Sequence, residues 1–182
     1  MRVVVAVTAA SGAIYARQCV ELLLESSSVE RIALIYSREA ESVARAEGVV
    51  MPEDSRIDRY DNDNMWASPA SGSARWDSML VVPSTMGTIG RIASGVSQSL
   101  IERSADVMLK ERRRLVIVAR EAPYSLIHLR NMTTLTEAGA IIIPASPSFY
   151  FRPESIEELC LTISERAVEL AGISVAHREW GD

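Results

Sequence analysis

Five short apolar runs, separated by segments of helical periodicity, constrain the fold of this chain most. The runs are rich in β-branched residues and stop after four to six residues, as strands covered on both faces of a sheet do. They are Val3–Thr8, Ile32–Tyr36, Met79–Val82, Leu115–Ala119 and Ala140–Ile143. Because helical segments lie between them, we expect parallel strands with helices on both faces. The sequence therefore predicts a single α/β domain, with a three-layer, doubly wound parallel sheet.

One long polar segment, residues 49–77, interrupts the alternation of strands and helices. It contains two prolines and a glycine, and we interpret it as a loop that covers a site, because loops of this length in a compact domain are usually functional. The acidic run Asp61-Asn-Asp-Asn64 lies within it. That run lacks the glycine and the distant glutamate of a calcium loop, so no metal site is predicted there.

Charge and cysteine usage exclude several classes of protein. The net charge of −5 argues against a nucleic-acid partner, whose binding depends on cationic contacts to phosphate. No apolar run reaches the length that spans a membrane. Val3–Val7 is too short for the apolar region of a signal peptide. Cys19 and Cys160 lie in apolar helical patterns, which is typical of buried, reduced thiols. We therefore expect a cytoplasmic protein.

Small and hydroxyl-bearing residues follow three of the predicted strands. The loops are Thr8–Ala13, the dipeptide Tyr36-Ser37, and Pro83–Thr88. The carboxyl ends of parallel strands form a ligand crevice, and free amides at helix starts favour an anion. The first loop lacks the glycine pattern of dinucleotide sites, and no acidic residue ends the second strand, so the loops favour a mononucleotide such as FMN. For Ser11 and Ser37, plain helix capping is the alternative.

The stretch Glu102–Pro123 holds six of the nineteen Lys and Arg residues. Arg120 and Glu121 stand side by side in it, directly after the fourth strand. A cation and a carboxylate at the crevice edge indicate a place where charge is handled during a reaction. The alternative is an ion pair that only caps a loop.

These motifs resemble those of the flavin prenyltransferases of the UbiX type, and the resemblance covers essentially the whole chain. The matching stretches are Thr8–Tyr15, Ala70-Ser-Gly-Ser73, Pro83–Thr88, Ile101–Arg113, Arg120-Glu-Ala-Pro123, Phe149-Tyr150 and the tail from Arg166 to Trp180. Ile101–Arg113 and Arg120–Pro123 are the most specific pair. The chain departs from the family pattern at Ala9, Ser84 and Arg114, where the family usually has Gly, Cys and Pro.

The resemblance implies a flavodoxin-like, Rossmann-like fold and a homododecamer that binds reduced FMN without a metal. It implies transfer of a dimethylallyl group from dimethylallyl phosphate to flavin N5, followed by ring closure at C6. The product, prenylated FMN, would serve a separate UbiD-type decarboxylase. The implied tail, residues 173–182, would dock on the site or on a neighbouring subunit.

Matching motifs also assign residues to roles in the implied site. The implied cofactor contacts are Ala10, Ser11, Ser37, Ser71, Thr85, Met86, Gly87, Thr88 and Arg120. The implied substrate contacts are Lys110, Arg120, Tyr150, Arg166 and Trp180. The implied catalytic residues are Glu121, Lys110, Glu47 and Arg103. For Glu47, a simple charge at the end of a helix is the alternative.

The residue types suit the implied chemistry. Negative charge builds on the phosphate as it leaves the allylic carbon, and without a metal the Arg and Lys side chains must stabilise it. A guanidinium can do so through two parallel hydrogen bonds. Ring closure then requires removal of a proton, for which Glu121 or the departed phosphate is the candidate base.

Lys110 cannot serve the crevice of its own chain. It ends a helix that feeds the next strand, so we expect it at the edge of the sheet opposite the crevice. If Lys110 contacts the prenyl phosphate, it does so in a neighbouring copy. We therefore predict an obligate oligomer with its active sites at subunit interfaces.

Two other functions compete with prenyl transfer. An FMN-dependent cysteine decarboxylase of related fold would use a histidine base near the second helix, but His128 and His177 lie elsewhere in this chain. Only Asn64-Met-Trp66 matches part of that family's characteristic loop. A flavodoxin-like electron carrier would have little use for the charged residues Arg103, Lys110, Glu121 and Arg166 in one site.

Overall fold

The structure is a computed structural model that describes residues 1–175. It contains six strands, which are β1 (Arg2–Val7), β2 (Arg31–Tyr36), β3 (Ile57–Tyr60), β4 (Ser78–Ser84), β5 (Arg114–Ala119) and β6 (Ile141–Pro144). Its α-helices are α1 (Ala13–Glu25), α2 (Ala40–Ala46), α3 (Met86–Ala93), α4 (Leu100–Lys110), α5 (Leu126–Glu137) and α6 (Ile156–Leu170). The strands form one parallel sheet in the order β3-β2-β1-β4-β5-β6. The predicted doubly wound architecture is confirmed.

Two hydrophobic cores lie on opposite faces of this sheet. Successive side chains of a strand point to opposite faces, and β1 divides accordingly. Val3 and Val5 pack in the core that includes the buried side chains of α1 and α6. Val4 and Ala6 pack in the core that includes those of α3, α4 and α5. The continuous apolar run of β1 is therefore explained, because both of its faces are covered.

Residues 49–77 are more structured than the predicted loop, and this part of the prediction is wrong. Ile57–Tyr60 forms the edge strand β3, which pairs with β2. Two short 3₁₀ helices, Ser68–Ala70 and Gly72–Ala74, follow it. Trp76 is buried, and its Nε1 donates to Ser68 Oγ at 3.1 Å. The sequence does not reveal β3, because two of its four residues, Asp58 and Arg59, are charged and none is fully buried, as an exposed edge strand allows.

The chain changes direction across the sheet between β1 and β4. From β1 it winds outward through β2 to β3, and it then crosses back to form β4 on the other side of β1. In such sheets the connections that leave the two neighbouring strands turn to opposite faces, as those to α1 and α3 do, and a crevice for a ligand opens between them. The loops after β1 and β4 therefore line the crevice that the sequence predicted.

The two cysteines are buried free thiols, as predicted. Burial raises the pKa of Cys19 to about 12, so this thiol stays protonated in the folded protein. Among residues 1–175, no helix is both long enough and apolar enough to cross a membrane.

Candidate active site

A buried threonine fastens together the two loops that line the crevice. Thr8 follows β1 and is almost completely buried. Its Oγ1 donates to the Pro83 carbonyl at 2.8 Å and accepts from the Thr85 amide, also at 2.8 Å. A buried hydroxyl that both donates and accepts holds its neighbours in one geometry. The floor of the crevice is therefore preorganised. Sequence analysis did not assign this role to Thr8, whose only signal is a hydroxyl at the end of a buried strand.

Glu47 caps the helix that leaves the first loop. Its Oε1 accepts from the Gly12 amide at 2.9 Å, and its Oε2 accepts from the Ala13 amide at 2.7 Å. These two amides stand at the start of α1, where backbone amides have no acceptor within the helix. Gly12 has a φ of 104°, and a Cβ there would meet the ring of Tyr15 at 2.8 Å, so the turn requires glycine. The carboxylate of Glu47 therefore already occupies the anion-binding end of α1.

The surroundings of Glu47 favour its ionised form. Partial burial alone would raise the pKa, but hydrogen bonds from the Ser11 side chain and the Gly12 and Ala13 amides outweigh it. The positive charge of Arg120 acts in the same direction. The pKa of Glu47 therefore lies below its ordinary value of 4.5. The structure thus shows Glu47 in a helix-capping role, which is the alternative that the sequence left open, and its catalytic role stays a prediction.

We expect Glu47→Gln to remove a pH-dependent part of the stability. A lowered pKa in the folded state stabilises the protein above the pKa of the unfolded chain, and this contribution is lost as the pH falls through the folded-state pKa. The variant should lose about 0.5–1 kcal/mol of unfolding free energy at neutral pH. In acid, the difference from the parent should disappear. Denaturant unfolding at several pH values measures both effects.

The matched control for this experiment is Glu53→Gln. The Glu53 side chain is exposed and belongs to no helix or strand. Its removal should leave the dependence of stability on pH unchanged. If the Glu47→Gln and parent curves run parallel from neutral to acidic pH, Glu47 does not cap α1 as a carboxylate.

The loop after β4 presents backbone amides to the crevice that have no hydrogen-bond acceptor in the described part of the chain. Thr85 is the N-cap of α3, and its Oγ1 accepts from the Thr88 amide at 3.2 Å. The Thr85 and Thr88 hydroxyls lie 3.0 Å apart. The first amides of a helix have no partner within the helix. Those of Met86 and Gly87 donate to no acceptor in the described part of the chain. This loop is therefore the better anion site of the two helix starts.

Arg120 and Glu121 follow β5 on the same edge of the sheet. The Arg120 amide donates to the Ser84 carbonyl at 3.2 Å, and its Nε donates to the Ser11 carbonyl at 3.2 Å. Glu121 is exposed, and its Oε1 accepts from the Ala122 amide at 3.0 Å. Ser37 reaches the same edge through a 2.9 Å hydrogen bond from its amide to the Val7 carbonyl. The structure thus brings these residues to the crevice, which also contains Ala10 in the first loop.

A second group of implied site residues lies away from this crevice. Arg103, on α4, donates from Nε to the Ala70 carbonyl at 3.0 Å. Lys110 ends α4 and pairs with Glu111, whose carboxylate presses against Gly72. Ser71 lies between Ala70 and Gly72, in the segment that leads to the start of β4. We call Ser71, Arg103 and Lys110 the α4 cluster. The length of β4, seven residues or roughly 20 Å, separates its start from the crevice.

Tyr150 and Arg166 occupy two further places. Tyr150 lies in the loop after β6, at the crevice edge, and its ring meets that of Phe151 edge-on with centroids 5.4 Å apart. Arg166 pairs with Glu169 on the half-exposed face of α6. The chain after α6 reaches the start of β5, where Gly172 contacts Arg114. Arg166 therefore lies toward the strand starts of its own chain. Trp180 is outside the described residues.

The crevice fits a flavin mononucleotide in its polarity and in its lack of bulk. The first loop offers the small side chains of Ala9 and Ala10, which let a planar ring approach the backbone. The α3 start offers two free amides and two hydroxyls for a phosphate. Among residues 1–175, no group of three or more His, Cys, Asp or Glu side chains could hold a metal ion.

Comparison with known proteins agrees with this architecture. Residues 1–168 match the Flavoprotein family. The chain is 41% identical over 186 residues to the flavin prenyltransferase UbiX of Archaeoglobus fulgidus. The aligned region covers 100% of both chains.

Two solved structures are similar over nearly the whole chain. One is the crystal structure of AnUbiX (PadA1) in complex with FMN and dimethylallyl pyrophosphate, with a TM-score of 0.89, 41% identity and 98% of each chain covered. The other is a dodecameric FMN-dependent UbiX-like decarboxylase from Escherichia coli O157:H7, with a TM-score of 0.91, 33% identity and 100% of each chain covered. The chain therefore belongs to the flavoprotein family and, within it, to the flavin prenyltransferases of the UbiX type.

Proposed function

We propose that this protein transfers a dimethylallyl group from dimethylallyl phosphate to N5 of reduced FMN and closes a ring at C6. The observation that carries the proposal is the crevice at the β1–β4 switch point, where Arg120 contacts the Ser11 and Ser84 carbonyls and, with Glu121, follows β5 at the strand ends that precede α1 and α3. A phosphate-binding helix start supports a nucleotide cofactor, while a fixed guanidinium supports an anionic leaving group. The 41% identical AnUbiX, whose structure holds FMN and dimethylallyl pyrophosphate, supports the same assignment.

Different residues of the chain have different roles in the proposed reaction. Reduced FMN, when bound, supplies the nucleophilic nitrogen and carbon that receive the prenyl group. Arg120 is held by the Ser11 carbonyl and lies near the Glu47 carboxylate, so its guanidinium is oriented before substrate binds. A preorganised cation stabilises charge that develops on the departing phosphate without reorganising during the reaction. Glu121, exposed at the same edge, accepts the proton released on ring closure.

The separation of the α4 cluster from the crevice supports an active site built by more than one subunit. Family motifs assign Ser71 to the flavin, and Lys110 and Arg103 to the reaction. In one chain, Lys110 lies just before the start of β5 and Ser71 lies beside Gly72, which contacts Glu111, so both lie at the opposite end of the strands from Arg120. A neighbouring copy that presents its α4 cluster to the crevice would unite the two sets. We therefore propose a homo-oligomer of twelve subunits, the number found in the Escherichia coli relative.

The product would leave for a UbiD-type decarboxylase, which uses prenylated FMN as its cofactor. We place the reaction in the cytoplasm, where thiols such as Cys19 and Cys160 stay reduced. Trp180 and the tail would close over the site or dock on a neighbouring subunit.

The geometry gives little support to a cysteine decarboxylase. His128 belongs to α5, where its Nδ1 accepts from the Ser125 amide at 3.2 Å and completes a capping box. A histidine engaged in this way holds a helix start, and it lies after β5 rather than near α2. An electron carrier is also disfavoured, because electron transfer does not require the Arg120 and Glu121 pair at the crevice.

Anaerobic incubation with reduced FMN and dimethylallyl phosphate tests the proposal. We expect a flavin that is heavier by one prenyl unit, detected by mass spectrometry after the protein is removed. A parallel reaction with oxidised FMN serves as the control and should yield no adduct. If protein that binds FMN leaves the reduced flavin unchanged, the assignment is wrong and an electron carrier is favoured. Decarboxylation of a cysteine-ended peptide would instead favour the cysteine decarboxylase.

A further inference from the structure

Arg91 lies across the first turn of α3, close to the proposed phosphate site. Side chains of a helix lean toward its N-terminus, and Arg91 follows this rule. Its Nη2 donates to Thr88 Oγ1 at 3.3 Å. A Cβ on Gly87 would lie 3.3 Å from Arg91 Nη1, so the absence of a side chain at position 87 leaves room for the guanidinium. A cation is therefore held beside the free amides of Met86 and Gly87.

A buried carboxylate fixes the position of this guanidinium. Arg91 Nε donates to Glu102 Oε1. Glu102 is 4% exposed, and its Oε2 accepts from the Gln98 and Ser99 amides at 2.9 and 3.1 Å. Each oxygen of Glu102 thus has its own partners, and the carboxylate cannot turn away from Arg91. A surface arginine without such support would lose side-chain entropy on meeting a ligand, whereas Arg91 is already ordered.

The guanidinium retains capacity to bind a ligand. Arg91 Nη1 donates to no acceptor in the described part of the chain, and about half of the side chain is exposed. A phosphate monoester carries between one and two negative charges at neutral pH. The helix start supplies only about half a positive charge. At the other helix start of the crevice, α1, the Glu47 carboxylate already holds the amides and would repel a phosphate.

On the basis of the proposed function, we propose that Arg91 is a further cofactor-binding residue. Its guanidinium binds the phosphate of FMN at the start of α3. This contact makes the protein bind FMN more tightly than riboflavin. Its planar fork can donate to a phosphate oxygen while Nε stays bound to Glu102. Gly87 contributes indirectly, because it has no side chain that would stand between the Arg91 guanidinium and the α3 amides. Sequence analysis missed Arg91, which carries no motif and looks like an ordinary surface residue of a helix.

The test compares the dissociation constants of FMN and riboflavin, measured by flavin fluorescence, for the parent and for Arg91→Gln. The loss of one charge-assisted contact should weaken FMN binding roughly tenfold. Riboflavin has no phosphate, so its binding should not change. Added salt should also weaken FMN binding less in the variant than in the parent, because one cation is missing. Arg91→Lys, which keeps the charge but loses the fork, should fall between the two.

The control variant is Arg31→Gln, which makes the same change of charge at the start of β2, where Arg31 pairs with Asp58. It should leave the FMN-to-riboflavin ratio at the parental value. That ratio is internal to each protein, so partial misfolding of a variant does not distort it. An unchanged ratio in both Arg91 variants would overturn the inference. If the parent binds FMN with the expected ratio but forms no prenylated product, the proposed function fails while the role of Arg91 stands.

Discussion

Two inactive variants of this protein should regain activity when they are mixed. Arg120→Ala removes a cation from the crevice, and Lys110→Ala removes one from the α4 cluster. Each variant alone should lose prenyl transfer by roughly a hundred- to a thousandfold, as enzymes do when a charge-stabilising group is lost. In assemblies formed from equal amounts of both, about a quarter of the two-chain sites should combine an intact Arg120 with an intact Lys110. Activity should therefore return to that fraction.

The expectation follows from the distance between the two ends of the parallel strands. Arg120 follows the end of β5, whereas Lys110 lies just before its start. Six residues of extended chain span roughly 20 Å. A lysine side chain cannot cover that distance, so the two cations can meet at one phosphate only if they come from different copies. Anaerobic turnover after joint refolding or co-expression measures the recovery.

The matched control mixes Arg120→Ala with Glu121→Gln. Both changes lie at the crevice, so every crevice in the mixed assembly carries one of them, and activity should not return. If the Arg120→Ala and Lys110→Ala mixture also stays inactive, Lys110 does not act in a neighbour's site. Recovery in the control mixture would mean that Arg120 and Glu121 belong to different sites.

Replacement of Glu121 by glutamine should slow formation of the prenylated flavin by roughly a hundred- to ten-thousandfold, the usual contribution of a general base. Glutamine keeps the shape of the side chain and can still accept from the Ala122 amide as Glu121 does. It cannot take up a proton at neutral pH. Binding of FMN should therefore be unchanged while the rate falls. Single-turnover mass spectrometry gives the rate, and flavin fluorescence gives the affinity.

The control for this variant is Glu25→Gln. Glu25 is exposed at the far end of α1, away from the crevice, so the rate should match that of the parent. The dependence of the rate on pH adds a second readout, since the variant should lose the limb that reports ionisation of the base. Parental rates in Glu121→Gln would show that the departed phosphate, rather than Glu121, takes the proton.

The strand pattern predicted the sheet because burial on both faces leaves a direct trace in the sequence. Val3–Val7 and Leu115–Ala119 are apolar at every position, and both are completely or almost completely buried. The edge strand β3 leaves no such trace, since Ile57–Tyr60 is covered incompletely and carries Asp58 and Arg59. Its pairing with β2 depends on where the chain runs after α2, which local composition does not encode.

The crevice was predictable for a related reason. Parallel strands end at one edge, so the residues that follow β1, β2, β4 and β5 must lie near one another. Ser11, Thr85 and Arg120 were located by that rule alone. The rule says nothing about side chains that arrive from helix ends or from the middle of a helix. Family motifs had assigned Glu47 to the site, but its contact with the start of α1 needed the structure, and so did the position of Arg91 beside the first turn of α3.

The sequence by itself determined the parallel fold, the edge of the sheet that holds the crevice and the charged residues at strand ends, because each depends on burial or on chain direction. Only the tertiary structure decided which helix start is free for a phosphate. Glu47 comes from a distant helix to occupy one, while Arg91 and Glu102 meet beside the other. Such contacts join residues that are eleven to thirty-five positions apart, and packing sets their geometry.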